Sequence, residues 1–304
     1  MKSRRGETAT GRRGEKKPRR SSSPRRPVSL SPRPSIPLIT LLTDFGSADY
    51  FVGAMKGIIL SINPNARVVD ITHEIPPQDI PAGAFNLLAV YRSFPAQTIH
   101  VAVVDPGVGS TRRPILVAAG NQFFVGPDNG IFSYIIDREP HARVFHLTNE
   151  KYFRLPVSAT FQGRDLFAPV AAWLSKGLKV DNLGVEIQDY ARLDLLSPDR
   201  LKNGNVRASI IHIDRFGNCV TNLTPAELTP EMIAKGARLN VNGKAIKTFR
   251  RFFADQGRSN DKVFAVWGSA GFLEIAAMNQ SAAKMLKANC GDKILILTRG
   301  TDAI

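Results

Sequence analysis

Between residue 37 and about residue 185, short apolar runs alternate with stretches of helical periodicity. That alternation restricts this part of the chain to a sheet covered by helices on both faces. The first run, Leu-Ile-Thr-Leu-Leu-Thr from Leu38 to Thr43, stops at Asp44-Phe45-Gly46, as a buried parallel strand does when it runs out into a loop. Residues 50–63 read as a helix. Further apolar runs fall at 66–71, 99–104 and 115–119, with helical patterns at 82–94 and 165–176.

The character changes beyond Val185. Polar residues around Asp189, Ser197-Pro198-Asp199 and Lys202 to Asn205 break the pattern, and the runs that follow at 209–213, 219–222, 239–241, 263–267, 273–276 and 294–297 are short and β-branched. Only 281–286 looks helical there. The chain is therefore expected to be α/β: an N-terminal domain over 37–190 with a mostly parallel sheet, and a C-terminal β-barrel-like domain over 191–304.

Residues 1–36 stand apart. They hold 12 of the 41 Lys and Arg but only 2 of the 26 Asp and Glu, so most of the formal net charge of +15 lies in this segment. With Ser, Pro and almost nothing apolar, the segment cannot offset its ordering entropy and is expected to be a disordered basic tail. Any nucleic-acid attachment is expected to be weak and through this tail, because the remainder is close to charge balance. The tail has no apolar stretch of the secretory kind. No run approaches the ~18 apolar residues of a membrane span. Cys219 and Cys290 form no CxxC pair, and His73, His100, His141, His146 and His212 are scattered, so no metal is expected and a reducing cytoplasm is the expected location.

Three loops at the carboxyl ends of the expected strands carry unusual polar groups, and this is where α/β sheets bind ligands. Thr43-Asp44-Phe45-Gly46 with Asp49 puts two carboxylates on one loop, although Asp49 could equally cap the following helix and Gly46 make a turn. Asp105-Pro106-Gly107-Val108-Gly109, followed by Arg112 and Arg113, sets a carboxylate and two guanidiniums around a rigid, close-approaching backbone. It is not the dinucleotide fingerprint, since Arg112 stands at the last glycine position. The third loop is Ser158 to Asp165, where Asp165 could be a helix cap. In the second half, Asp214-Arg215-Phe216-Gly217-Asn218 reads as a hairpin turn on spacing alone, yet its Asp, Phe and Asn could also bind a nucleoside.

Seven motifs in order resemble the S-adenosylmethionine hydroxide adenosyltransferase family, which is related to the fluorinase and chlorinase. They are TDFG with Asp49, Thr72-His-Glu-Ile-Pro76 with Pro77-Gln-Asp79, Asp105-Pro-Gly-Val-Gly109, Gly126-Pro-Asp-Asn-Gly130, Thr160-Phe-Gln-Gly-Arg-Asp165, Asp214-Arg-Phe-Gly-Asn218, and Trp267-Gly-Ser-Ala-Gly-Phe-Leu-Glu-Ile-Ala276. The resemblance covers residues 37–304. It implies hydrolysis of S-adenosyl-L-methionine (SAM) to adenosine and L-methionine by water attacking the ribose C5′, with no metal or cofactor and with SAM as a small-molecule substrate. It also implies a homotrimer whose sites lie between the first domain of one subunit and the second of its neighbour.

Residue by residue, the resemblance implies that Asp44 and Asp49 contact the ribose and methionine ends of the substrate and Asp214 the methionine amino group. Asn218 and Ser269 would meet the adenine, and the rings of Phe216 and Phe253 would complete the pocket. The family's water-holding Asp, Arg and His correspond to Asp105, Arg112 and Gln162. Gln162 is the departure, because a glutamine orients water but accepts no proton near neutral pH. Two other readings follow: transfer of a halide in place of water, which a carboxylate beside the nucleophile opposes, and a SAM- or adenosine-binding protein with little or no turnover.

Overall fold

The computed structural model describes residues 37–194, 196–202, 205–255 and 261–297; the expected tail, 1–36, lies outside them. Seven strands make the first sheet: β1 (Leu38–Thr43), β2 (Arg67–Thr72), β3 (Ile99–Val103), β4 (Pro114–Ala119), β5 (Gln122–Pro127), β6 (Arg143–Leu147) and β7 (Gly184–Ile187). Their order is β2-β1-β3-β5-β4-β6-β7. The block from β2 to β5 is parallel, while β4, β6 and β7 pair antiparallel to their neighbours.

Helices α1 (Phe51–Ile62), α2 (Ile80–Val90), α3 (Ser133–Arg138) and α4 (Ala168–Ser175) accompany this sheet. Its two faces bury separate apolar clusters. Met55 and Ile59 of α1 and the small residues of α4 pack with Ile39, Leu41 and Val101, whereas Phe85 and Leu87 of α2 pack with Leu42, Ala102 and Phe124. β3 is buried on both faces along its whole length, which is why it reads as an unbroken apolar run.

Several elements differ from the sequence expectation, which does not include β5, β6, β7 or α3. The helix expected at 82–94 begins at Ile80, because the Asp79 side chain accepts from the Ala82 N–H at 2.9 Å and Pro81 occupies the first turn. The run at 115–119 is not another parallel crossover strand. It turns back into β5 through Gly120 and Asn121, both at positive φ (57° and 60°), the backbone a two-residue hairpin needs.

The second sheet comprises β8 (Asp199–Arg200), β9 (Val206–Ile213), β10 (Cys219–Thr221), β11 (Arg238–Val241), β12 (Lys244–Ile246), β13 (Phe249–Arg250), β14 (Val263–Trp267), β15 (Leu273–Ala277) and β16 (Lys293–Leu297). Its order is β12-β11-β16-β9-β10-β15-β14-β13, with β8 on β9. All pairs are antiparallel except β13 with β14. The sheet curls around one apolar core that contains Leu239, Leu273 and Ile294. Besides the expected α6 (Ala282–Leu286), the five-residue α5 (Pro230–Ala234) appears, capped by the Thr229 hydroxyl.

Candidate active site

Asp105 sits two residues beyond β3, at the carboxyl end of the parallel block. The strand end is pinned by Asn129, whose Nδ2 donates to the Val104 carbonyl at 2.8 Å. The chain then turns sharply, with Val108 N–H bonded to the Asp105 carbonyl and Ser110 N–H to that of Gly107, and Arg112 returns to its own starting carboxylate. Arg112 Nε donates to Asp105 Oδ1 at 2.8 Å and Nη2 donates to Oδ2, a two-pronged pair that fixes both planes. The two side chains are only 9 % and 5 % exposed. Arg112 Nη2 also donates to Gln162 Oε1. Nη1 is buried with no hydrogen-bond acceptor, and the Phe167 ring, 5.4 Å from the guanidinium carbon, stacks against the group.

Gly109 allows this arrangement. It holds φ at +79°, and a Cβ there would fall on the Ala159 carbonyl, so the 105–112 and 158–162 loops touch backbone to backbone. Gln162 then precedes a π-helical turn, Gly163–Phe167, that leads into α4. Asp165 lies within this turn and is not a helix cap. Fully buried, it accepts from Arg154, Arg164 and the Ser158 N–H. Burial pushes its carboxyl up, but these donors outweigh that and hold it down at about 2. Its role is to lock the loop that carries Gln162.

The Asp44 loop joins the same place. Phe161 packs edge-on against Phe45 and Phe51, with ring centroids 6.1 and 5.1 Å away. The loop is tied to the Thr72–Asp79 segment three times: Gly46 N–H to the His73 carbonyl, Thr43 Oγ1 to His73 Nδ1 at 2.8 Å, and Gln78 N–H to Asp44 Oδ2 at 2.8 Å. Asp49 does not cap α1, whose N-terminus takes no side-chain hydrogen bond; it is exposed, next to a Tyr50 that is itself 67 % exposed. Three motifs without an obvious chemical role thus shape loops: Gln78 and Asn129 as above, and Arg164 through Asp165. Asp128 likewise pairs with Arg113 at 2.7 Å.

In the second half, Asp214 to Asn218 is the β9–β10 hairpin turn. Asp214 Oδ1 accepts from the Phe216 and Asn218 N–H groups and Oδ2 from Asn218 Nδ2, so the carboxylate closes the turn. Phe216 is left 78 % exposed. It opens with Asn218 and Phe253 onto a cavity of about 620 Å³ that is completed by the segment from Ala277 to Ser281. That segment was not singled out from the sequence; in the structure Asn279, two residues after β15, turns the chain at a positive φ of 54°.

Ser269 is not part of this cavity. It sits exposed in the β14–β15 turn, at the Leu273 end of β15, whereas Asn218 adjoins the opposite end, since Cys219 pairs with Ile275. Among the described residues no group of three or more His, Cys, Asp or Glu could hold a metal ion.

This order of motifs can be compared with known proteins. The sequence profile of the SAM hydroxide adenosyltransferase N-terminal domain matches residues 39–184, and that of the C-terminal domain matches residues 208–295. The chain belongs to the SAM hydroxide adenosyltransferase family. A relative from Methanocaldococcus jannaschii, named (R)-S-adenosyl-L-methionine hydrolase, is 36 % identical over 269 residues, covering 86 % of this chain and 95 % of the relative. A fluorinase from Actinoplanes sp. is more distant, 26 % identical over 270 residues and covering 79 % and 90 %. A crystal structure of an uncharacterised conserved protein from Thermotoga maritima superposes with a TM-score of 0.78 at 34 % identity, covering 85 % and 99 %. In this member of the family the Asp105, Arg112 and Gln162 side chains meet at one point, and the aromatic cavity of Phe216 and Phe253 lies on the other sheet.

Proposed function

We propose that the chain hydrolyses SAM to adenosine and methionine. One observation carries this reading: Asp105, Arg112 and Gln162, from two loops 50 residues apart, are joined by direct hydrogen bonds at the carboxyl end of the sheet. Water attacks C5′ as the C5′–S bond breaks, and the bonding electrons leave on sulfur, giving neutral methionine. The leaving group needs no acid, so in-line placement of the water supplies much of the acceleration. Asp105 takes the proton as the water's oxygen bonds to carbon, and Arg112 holds Asp105 in position.

The buried carboxylate speaks against a halide nucleophile, in keeping with the greater distance to the named fluorinases. The hydrolase relatives are named for the (R) form of SAM, and we expect the same preference here.

A homotrimer with sites between subunits is part of the proposal. Among the described residues the aromatic cavity is lined by residues from 216 to 281, while Asp44, Asp49, Asp105 and Arg112 lie on the first sheet's loops. A subunit boundary through the substrate would account for Phe216 and Tyr50 being left exposed. On this reading 37–190 carries the chemistry and 191–304 the adenine pocket. No helix among the described residues is long and apolar enough to cross a membrane, and Cys219 and Cys290 are free thiols, which supports a cytoplasmic location.

The test is incubation of the purified protein with SAM in chloride-free buffer, following products by chromatography. Equimolar adenosine and methionine, abolished in Asp105→Ala, is the expected result. Intact SAM with clear calorimetric binding would replace the hydrolase with a binding protein, and chlorinated adenosine on adding chloride would replace it with a halide transferase.

A further inference from the structure

Beside Asp44 two buried side chains, Thr43 and His73, meet in front of a half-exposed ion pair, and a bulge in β2 lines them up. Leu41 pairs with Asp70 but Leu42 pairs with Thr72, so Ile71 is an extra residue. Asp70 and His73 are three apart and would point to opposite faces of a regular strand; the extra residue turns both to one side. His73, only 9 % exposed, has Nδ1 2.8 Å from Thr43 Oγ1 and Nε2 3.1 Å from Asp70 Oδ1. The second contact lies off the axis of the ring N–H, so it is electrostatic and not an aligned hydrogen bond. Asp70 Oδ2 in turn accepts from Lys56 Nζ of α1 at 2.6 Å.

The Thr43 hydroxyl assigns the protons. Thr43 is fully buried, and its Oγ1 accepts from the Phe45 N–H at 3.2 Å. Among the described residues His73 Nδ1 is the one acceptor that its own hydrogen reaches. A protonated ring would donate from Nδ1 and strand that hydrogen in a buried place, which is costly. The ring is therefore neutral, with its proton on Nε2. One hydroxyl thus ties both residues that flank Asp44: it belongs to Thr43, and it holds the Phe45 N–H.

We propose that His73 is a proton-operated latch on the Asp44 loop: neutral, it holds Thr43 and the loop in the form that binds SAM, and protonated from solvent it releases them. The proposal rests on the reading of Asp44 as a contact for the substrate and adds acid control of substrate binding to it. The charged groups near the ring set the balance. Asp70 on β2 draws a proton onto it, and Lys56 on α1 opposes. On the tied segments, Glu74 accepts from Ser47 Oγ at 3.2 Å, Asp44 accepts from the Gln78 N–H, and Asp79 caps α2. His73 is a positioning residue. It changes the fraction of chains whose loop is competent, so its effect belongs in KM rather than kcat.

The test is adenosine release and calorimetric SAM binding by the full chain between about pH 8 and pH 5, the range in which imidazoles change charge. The wild-type KM should rise about tenfold toward the acid end as the competent fraction falls to about one-tenth, with kcat at saturating SAM changing less than about threefold. Asn at position 73 offers an oxygen to the Thr43 hydroxyl and takes up no proton, so in His73→Asn the KM at the acid end should stay within about twofold of its own value at the alkaline end. Lys56→Gln should start the rise at a higher pH than wild type and Asp70→Asn at a lower one. Opposite shifts from two touching side chains are not what loss of a structural contact gives. Lys56 lies on a partly exposed helix face, so its variant keeps the test open even where His73→Asn does not fold.

A wild-type KM that is flat with pH, a rise that persists in His73→Asn, or shifts of the same sign from Lys56→Gln and Asp70→Asn would overturn the latch. Wild type that binds SAM but releases no adenosine fails as a hydrolase, and the latch is then read from the dissociation constant over the same range. Wild type that binds no SAM refutes both.

Discussion

Gly109→Ala tests whether the contact between the two loops sets the site. The added Cβ would lie closer than 3.0 Å to the Ala159 carbonyl oxygen and 3.3 Å from its carbon, at a backbone φ of +79°. A left-handed conformation costs a non-glycine residue about 1–2 kcal/mol. Restoring an ordinary contact of about 3.5 Å moves one loop from the other by roughly 1 Å. That displacement opens the Arg112–Gln162 bond directly, because each partner belongs to one of the two loops. A misplacement of about 1 Å can cost about 100-fold in rate, so kcat should fall by about that factor with a stability loss of only about 1–3 kcal/mol. Adenosine release at saturating SAM, together with denaturant unfolding of the same preparation, measures both. Wild-type turnover in a variant whose unfolding midpoint has moved would show that the loops adjust independently of the chemistry.

Burial pushes the His100 imidazole down to about 4 from 6.5. Below pH 6.5 the unfolded chain therefore takes up a proton that the folded chain refuses, and about 3 kcal/mol of stability, complete above 6.5, is lost as the pH falls through 4; unfolding free energies at pH 7 and 4.5 should show this loss in wild type and not in His100→Gln. Phe216→Ala should leave the unfolding midpoint nearly unchanged, since the ring is 78 % exposed, but raise KM for SAM about tenfold with kcat little altered. Asp165→Asn weakens the pairs to Arg154 and Arg164 in a fully buried position and is expected to cost about 1–3 kcal/mol, read as a lower denaturation midpoint.

The parallel core was legible because its strands are buried on both faces, which leaves no polar alternation to confuse β1 or β3 with a surface strand. The antiparallel additions were harder to read. β4 looks like its parallel neighbours, and only Gly120-Asn121 betrays the reversal. At the site, Asp105 and Arg112 could be paired from the sequence because seven residues and two glycines permit a return. That Gln162 would complete the group depended on resemblance, since nothing local ties residue 162 to residue 112. Ser269 belongs to the same motif as β15 yet lies at the Leu273 end of that strand, away from Asn218, because sequence proximity does not say at which end of a strand a side chain sits. The lining from Ala277 to Gln280 was passed over because ordinary loop residues act there through shape.

The π-helical turn at Gly163–Phe167 carries one residue more than an α-helical turn would hold. Each residue turns a helix by roughly 100°, so removing any one of these five would leave composition and hydrophobicity almost intact while swinging Gln162 out of line with Arg112. Across related chains this stretch should therefore keep its number of residues constant.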